Sequence, residues 1–142
     1  MEKILGLDVG DRYIGVAVSD SLRLTAQGYR TYKKGTREDD LAYFKELVEQ
    51  FNVKLVVAGL PKDLSGEETA QARKTINYCN FLKKRLNVEV VYIDERLTSK
   101  ASNDILIQGR VRRRDRKKYI DTLSAQLILQ IYLDQEYNKG DE

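Results

Sequence analysis

The amino-acid sequence predicts an α/β fold, a mixed five-stranded sheet of three antiparallel strands followed by two parallel ones, flanked by helices. Three observations carry this expectation. Two apolar runs, Ile4 to Val9 and Ile14 to Val18, bracket a short polar turn, the pattern of a β-hairpin. Two later runs, Val53 to Gly59, nearly all apolar, and Val88 to Asp94, each follow a helical stretch, as parallel strands reached through helical crossovers do. The stretches before them carry apolar residues at spacings of three and four, the period of an amphipathic helix.

Taken in order, the hairpin arms place apolar or small residues at consecutive positions, which suits central strands. Thr25 to Tyr32 has enough β-formers for a third strand, antiparallel to the second. Lys33 to Glu38 is a polar turn, and a helix begins at Asp39 or Asp40, both suitable caps, with Leu41, Phe44, Leu47, Val48 and Phe51 on one stripe. Asn52 ends it, and the strand Val53 to Gly59 is stopped by Leu60 and the only proline, Pro61. Lys62 to Gly66 reads as a loop, Glu67 to Leu86 as a long helix, and Val88 to Asp94 as the last strand. Thr98 or Ser99 caps a helix through Gln108, which Gly109 stops. The final helix covers Ile120 to about Gln135, with Leu123, Leu127, Ile128, Ile131 and Tyr132 on its apolar face. Right-handed crossovers put the first strand in the middle of the sheet, beside the strand ending at Gly59.

A chain of 142 residues suits one domain, expected over residues 1–137, with 138–142 a disordered C-terminal tail. The N-terminus lacks the pattern of a signal peptide because Asp8 interrupts its apolar run, and no run reaches the length of a membrane span, so a cytoplasmic location without membrane contact is expected. The single cysteine, Cys79, lies in an apolar helical stretch and is expected to be packing material. Histidine is absent, which excludes a Ser-His-Asp triad, a Cys-His pair, imidazole zinc ligands and a histidine general base within one chain. Acid, base and metal chemistry must fall to carboxylates, lysines, tyrosines and water.

Asp8 is the anomaly of the first strand. A carboxylate inside a buried strand loses hydration worth several kcal/mol unless a cation or hydrogen-bond donors replace it. It is either capped or salt-bridged near the turn, with Arg12 in reach, or functional beside Gly10, which lets a backbone or phosphate approach closely. Such a sheet would bring it near two other acids, Glu95 just past the last strand and Asp121 at the start of the terminal helix. Each has a structural alternative: Asp121 as a helix cap, Glu95 as a surface partner of Arg96 or Arg12. Asp20, Asp94, Asp104 and Asp115 stand in reserve. Oxygen ligands without nitrogen or sulfur suit Mg²⁺ or Mn²⁺. Two such ions about 3.5–4 Å apart support in-line attack of water on a phosphodiester.

The charge is unevenly spread. Arg110, Arg112, Arg113, Arg114, Arg116, Lys117 and Lys118 against Asp115 give that stretch +6, while the whole chain carries +3. The run is expected to be mobile without ligand and to grip nucleic-acid backbone, since no aromatic residues interleave it for base stacking.

Gly6-Leu-Asp8-Val-Gly10, Ile14-Gly-Val-Ala-Val-Ser-Asp20, Thr25-Ala-Gln-Gly28, Gly59-Leu-Pro61, Asp94-Glu-Arg-Leu-Thr98, the basic loop, Ile120-Asp121 and Ile128-Leu-Gln-Ile-Tyr-Leu-Asp134 resemble, in order, the motifs of the YqgF family of resolvases and ribosomal-RNA nucleases. The resemblance spans nearly the whole chain. It implies an RNase H-like fold related to RuvC, with the family's acidic triad falling on Asp8, Glu95 and Asp121. It further implies processing of the small-subunit ribosomal RNA precursor, or resolution of Holliday junctions. Tyr13 stands where many members have a basic residue, Ser99 replaces a usual threonine, Ser124 a usual alanine, and Lys62-Asp63-Leu64-Ser65 departs from the commoner loop.

The leading expectation is therefore a Mg²⁺- or Mn²⁺-dependent endonuclease acting on structured nucleic acid, most plainly the 5′ end of pre-16S rRNA. Arg12 and Arg96 would steady the phosphate, and the protein would act as a monomer or weak homodimer. RNA is the favoured partner and branched DNA the second. The alternatives are a Holliday junction resolvase, a nucleic-acid-binding protein without catalysis, and an ATPase of actin-like fold, for which one domain is too short.

Overall fold

The computed structural model describes residues 2–62, 67, 69–95 and 113–140, and of residues 113–121 and 140 the backbone alone. The strands are β1 (Ile4–Val9), β2 (Tyr13–Ser19), β3 (Ala26–Lys33), β4 (Leu55–Leu60) and β5 (Glu89–Asp94), and the helices are α1 (Arg37–Phe51), α2 (Ala70–Leu86) and α3 (Arg113–Gly140). They form one sheet in the order β3-β2-β1-β4-β5, with β1–β2 and β2–β3 antiparallel and β1–β4 and β4–β5 parallel. The expected strand pairing and the central place of β1 are both observed.

A helix layer covers each face. Leu5, Leu7 and Val9 of β1 join Ile14, Val16, Val56 and Ala58 under Phe44 and Leu47 of α1 and Cys79 and Leu82 of α2. On the other face, Ile4, Ala17 and Val57 of these strands, with Ala26 of β3 and Ile93 of β5, pack under Ala125, Ile128, Leu129 and Leu133 of α3. Because successive strand residues point to opposite faces, a strand covered on both sides must be apolar at consecutive positions. That is the reason the hairpin arms do not alternate.

Several boundaries differ from the sequence expectation. Helix α1 starts before Asp39 because Thr36 is its cap: Thr36 Oγ1 accepts from Asp39 N at 3.1 Å while Asp39 Oδ2 accepts from Thr36 N at 3.1 Å. Asp40 is no cap but a buried side chain, 2% exposed. Helix α2 begins at Ala70 with Thr69 as its cap. The expected helix from Thr98 or Ser99 to Gln108 lies outside the described residues. Helix α3 begins at Arg113, ahead of the expected Ile120, and continues to Gly140 through residues assigned in sequence to a tail. Arginine and lysine are good helix formers, so the basic stretch from Arg113 to Lys118 is helical in place of the mobile loop expected. Arg110 and Arg112 lie outside the described residues.

The buried stripe of α3 is also rotated from the expected one. Ser124, Ala125, Ile128, Leu129 and Leu133 are buried, whereas Leu123, Leu127, Ile131 and Tyr132 are only half-buried. The sheet beneath is floored by glycines. A Cβ on Gly6 would lie 2.8 Å from Leu129 Cβ and 2.9 Å from the Ala125 carbonyl oxygen, and one on Gly59 would run into Ile128 Cδ1. The missing side chains let Ala125, Ile128 and Leu129 pack directly on the strand backbone.

Candidate active site

Asp8 is the fifth residue of β1 and is half-buried. Its neighbours Leu7 and Val9 belong to the core under α1 and α2, so strand alternation puts Asp8 on the face covered by α3, as it does Gly6. The β1–β2 turn closes tightly behind it, Gly10 N donating to the Tyr13 carbonyl at 2.9 Å. Glu95 follows β5 directly and is half-buried. Its carboxyl carbon lies 3.4 Å from the position that a Cβ on Gly59 would take. Leu7 pairs with Ala58 and Gly59 with Ile93, so Asp8 and Glu95 sit at the carboxyl ends of β1 and β5, the two strands that flank β4, on either side of Gly59.

Asp121 is the ninth residue of α3, more than two turns inside the helix, so it does not serve as the cap considered in sequence. In sequence it precedes buried Ala125 by four residues and buried Ile128 by seven. The helix runs antiparallel to β1: Thr122 lies against Gly28 and Thr31 toward the carboxyl end, and Gln130 binds Ala26 N and the Leu24 carbonyl toward the other. Asp121 is therefore carried at the same end of the sheet as Asp8 and Glu95. Among the described side chains no three acids gather into a metal-holding group, and the Asp121 side chain is not one of them.

Two features that lock the helix in place were not legible as such in sequence. Thr31 Oγ1 and Thr122 Oγ1 share a hydrogen bond at 2.6 Å, joining β3 to the residue after Asp121. Thr31 faces α3 only because a β-bulge opposite Val16 and Ala17 shifts the register, putting Gly28 and Thr31 on the same face although they are an odd number of residues apart. The second feature is the clamp of Gln126 on the Ala26 carbonyl and Gln130 on Ala26 N.

The remaining sequence candidates separate. Asp20 accepts from Leu24 N at 2.8 Å and Thr25 N at 3.1 Å, and these backbone donors hold its carboxyl below the usual range. It shapes the β2–β3 turn at the far end of the sheet and is structural. Asp94 ends β5. Arg12 is exposed in the β1–β2 turn. Arg96 and Asp104 lie outside the described residues, while Arg113, Arg114, Asp115, Arg116, Lys117 and Lys118 occupy the opening turns of α3. Cys79 is wholly buried, and burial pushes its thiol up to about 12, which removes it from nucleophilic chemistry. Among the described residues no helix is long and apolar enough to cross a membrane.

Comparison with known proteins agrees with this architecture. A family model described as RuvX, Holliday junction resolvase, matches residues 2–135. A protein of Clostridium tetani named "Putative pre-16S rRNA nuclease" is 44% identical over 137 residues, covering 96% of this chain and 99% of that protein. One of Clostridioides difficile with the same name is 43% identical over 136 residues, 96% of each. Among solved structures, Thermus thermophilus RuvC in complex with a Holliday junction substrate superposes with a TM-score of 0.61 at 12% identity over 97% of both chains. The fowlpox virus Holliday junction resolvase superposes with a TM-score of 0.52 at 16% identity over 94% of this chain and 99% of that one. The shared fold is RNase H-like.

Proposed function

The chain belongs to the RuvX family, and from that membership we propose that it is an endonuclease that hydrolyses phosphodiester bonds of structured nucleic acid, with pre-16S ribosomal RNA as substrate, in the cytoplasm. The observation that carries the reading is the pair of half-buried carboxylates, Asp8 and Glu95, at the carboxyl ends of β1 and β5, with Gly59 of β4 between them. Two carboxylates brought together where a polyanion would be cut suit a reaction assisted by divalent cations.

The donor set fits hard divalent cations, since it offers carboxylate oxygen and the chain has no histidine. In this reading Asp8, Glu95 and Asp121 hold Mg²⁺ or Mn²⁺. When bound, such ions lower the pKa of water and stabilise charge on the phosphate oxygens. The chain's own contribution is placement. The Thr31–Thr122 bond and the close packing of α3 on Gly6, Gly28 and Gly59 hold the helix against the sheet beside the two carboxylates. Arg12, Arg96 and the basic residues Arg110, Arg112, Arg113, Arg114, Arg116, Lys117 and Lys118 hold the substrate backbone, and the last five of these lead directly along α3 to Asp121.

Cleavage of Holliday junctions is the second reading, favoured by the description of the matching family model. The deciding experiment is cleavage of labelled pre-16S ribosomal RNA and a four-way DNA junction by wild type and Asp8→Asn, with Mg²⁺ or EDTA. Metal-dependent cutting of the RNA, reduced a hundredfold or more in Asp8→Asn, is the expected result. Junction cutting alone would transfer the assignment to the resolvase. Binding of both substrates without cutting either would leave a nucleic-acid-binding protein without catalysis.

A further inference from the structure

A cleft of about 280 Å³ opens on the other side of the β1 terminus from the carboxylates, lined by Gly10, Asp11, Lys34, Arg37, Gln71 and Lys74 among others. Three of these are cations and one is an acid, in a chain whose residues outside the basic run are net negative. They come from three separate places, the segment after β3, the start of α1 and the second turn of α2, so no charge run in the sequence marks them.

The cations are held in position. Lys34 Nζ stands 4.6 Å above the Tyr78 ring and 3.5 Å from the Gly10 carbonyl oxygen, and Arg37 lies 4.9 Å above the Phe81 ring. Tyr78 is itself fixed by donating to buried Asp40 at 2.9 Å. Lys74 faces Asp11 across 3.6 Å with both side chains about two-thirds exposed, an ion pair worth little in water and readily exchanged for a phosphate. The floor of the cleft is tied to the catalytic strand: Gln71 Nε2 donates to the carbonyl of Val9, the residue after Asp8, at 3.4 Å. The backbone NH of Lys34 donates to the Arg12 carbonyl at 2.8 Å, so the cleft is continuous with the turn bearing Arg12.

We infer that this cleft is a phosphate-binding subsite that holds the backbone of a nucleic-acid strand beside the cut, with Lys34, Arg37 and Lys74 as its contacts. The inference rests on the nuclease reading for the identity of the strand. It accounts for cations gathered next to a metal-dependent site that already repels a polyanion, and it gives the strand a second grip on the side away from α3.

The test is binding of a short labelled single-stranded RNA in EDTA, across roughly 50 to 200 mM salt, by the full chain. The triple variant Lys34→Ala, Arg37→Ala, Lys74→Ala is expected to bind roughly tenfold more weakly, with a salt slope shallower by about 1 to 2. Asp11→Asn, which removes only the competing anion, is expected to bind more tightly, an effect that damaged folding cannot produce. Wild-type affinity and slope in the triple variant would overturn the subsite. If a nucleoside monophosphate bound wild type as tightly as the RNA does, the cleft would belong to a small phosphorylated ligand and the strand assignment would fall. Cleavage by the same wild-type preparation with Mg²⁺ separates the two ideas. Cutting with an indifferent triple variant sinks the subsite alone, and weakened binding without any wild-type cutting sinks the nuclease alone.

Discussion

Gly6→Ala puts the packing of α3 on β1 to a direct test. The new methyl carbon would lie 2.8 Å from Leu129 Cβ and 2.9 Å from the Ala125 carbonyl oxygen. Carbon atoms prefer about 3.5–4.0 Å, so the two elements must part by roughly 0.7 Å. Neither obstacle is the tip of a flexible side chain. Leu129 Cβ is fixed by the backbone and the Ala125 oxygen is backbone, so the whole helix has to move. A gap of that size forfeits a quarter to a half of each dispersion contact along the seam where Ala125, Ile128 and Leu129 are fully buried. Overpacking of this kind costs about 1–3 kcal/mol. The same shift carries Asp121 away from Asp8, so cleavage should fall by tenfold or more while RNA binding through the basic residues changes little. Urea unfolding reads the first effect as a lower midpoint with an unchanged slope, and single-turnover cleavage with Mg²⁺ reads the second. A variant with wild-type midpoint and wild-type rate would refute the close approach of α3 and with it the placement of Asp121.

Asp40→Ala should destabilise the protein by about 3 kcal/mol, because the Tyr32 and Tyr78 hydroxyls and Gly35 N, which donate to Asp40 at 2.8, 2.9 and 2.8 Å, lose a buried acceptor; an unchanged urea midpoint would refute the hub. Burial first, and the bond to Asp40 second, raise the phenols of Tyr32 and Tyr78 above their ordinary 10.0, and burial pushes Tyr92 up to about 12. The folded state keeps phenolic protons that the unfolded chain releases, so stability is fully present below pH 10 and declines as pH rises beyond it. Urea midpoints that stay level from neutral pH through about pH 11 would contradict this. Replacing Arg112, Arg113 and Arg114 by Ala should weaken binding alike for unrelated RNA sequences and flatten its salt dependence. A loss confined to one sequence would exclude a backbone grip.

Much of the fold was legible because one physical rule governed it. Strands covered on both faces are apolar at consecutive positions, as β1, β2 and β4 are over most of their length. The carboxylate in β1 stood out against that background, and the order of crossovers placed β1 at the centre beside β4. Helix limits were less legible, since caps compete locally. Asp39 and Asp40 both read as caps, yet Thr36 takes that place through its reciprocal bonds with Asp39, and Asp40 is buried between two tyrosines. For α3 the expected stripe held Leu123, Leu127 and Tyr132, whereas the buried one takes in the small residues Ser124 and Ala125 beside Ile128, Leu129 and Leu133, where the sheet beneath offers glycine.

By itself the sequence determined composition, period and chemistry: an α/β sheet with β1 central, no histidine for any role, a carboxylate inside an apolar strand, and one concentrated basic stretch. The tertiary structure alone decided what depends on distance between remote segments. The bulge in β3 that turns Thr31 toward Thr122, the glycine floor that draws α3 onto the sheet, and the gathering of Lys34, Arg37 and Lys74 around the end of β1 leave no periodic trace in the chain. Periodicity reports which face of an element is buried; how closely the covering element approaches, and which side chains from elsewhere meet there, is settled only by packing.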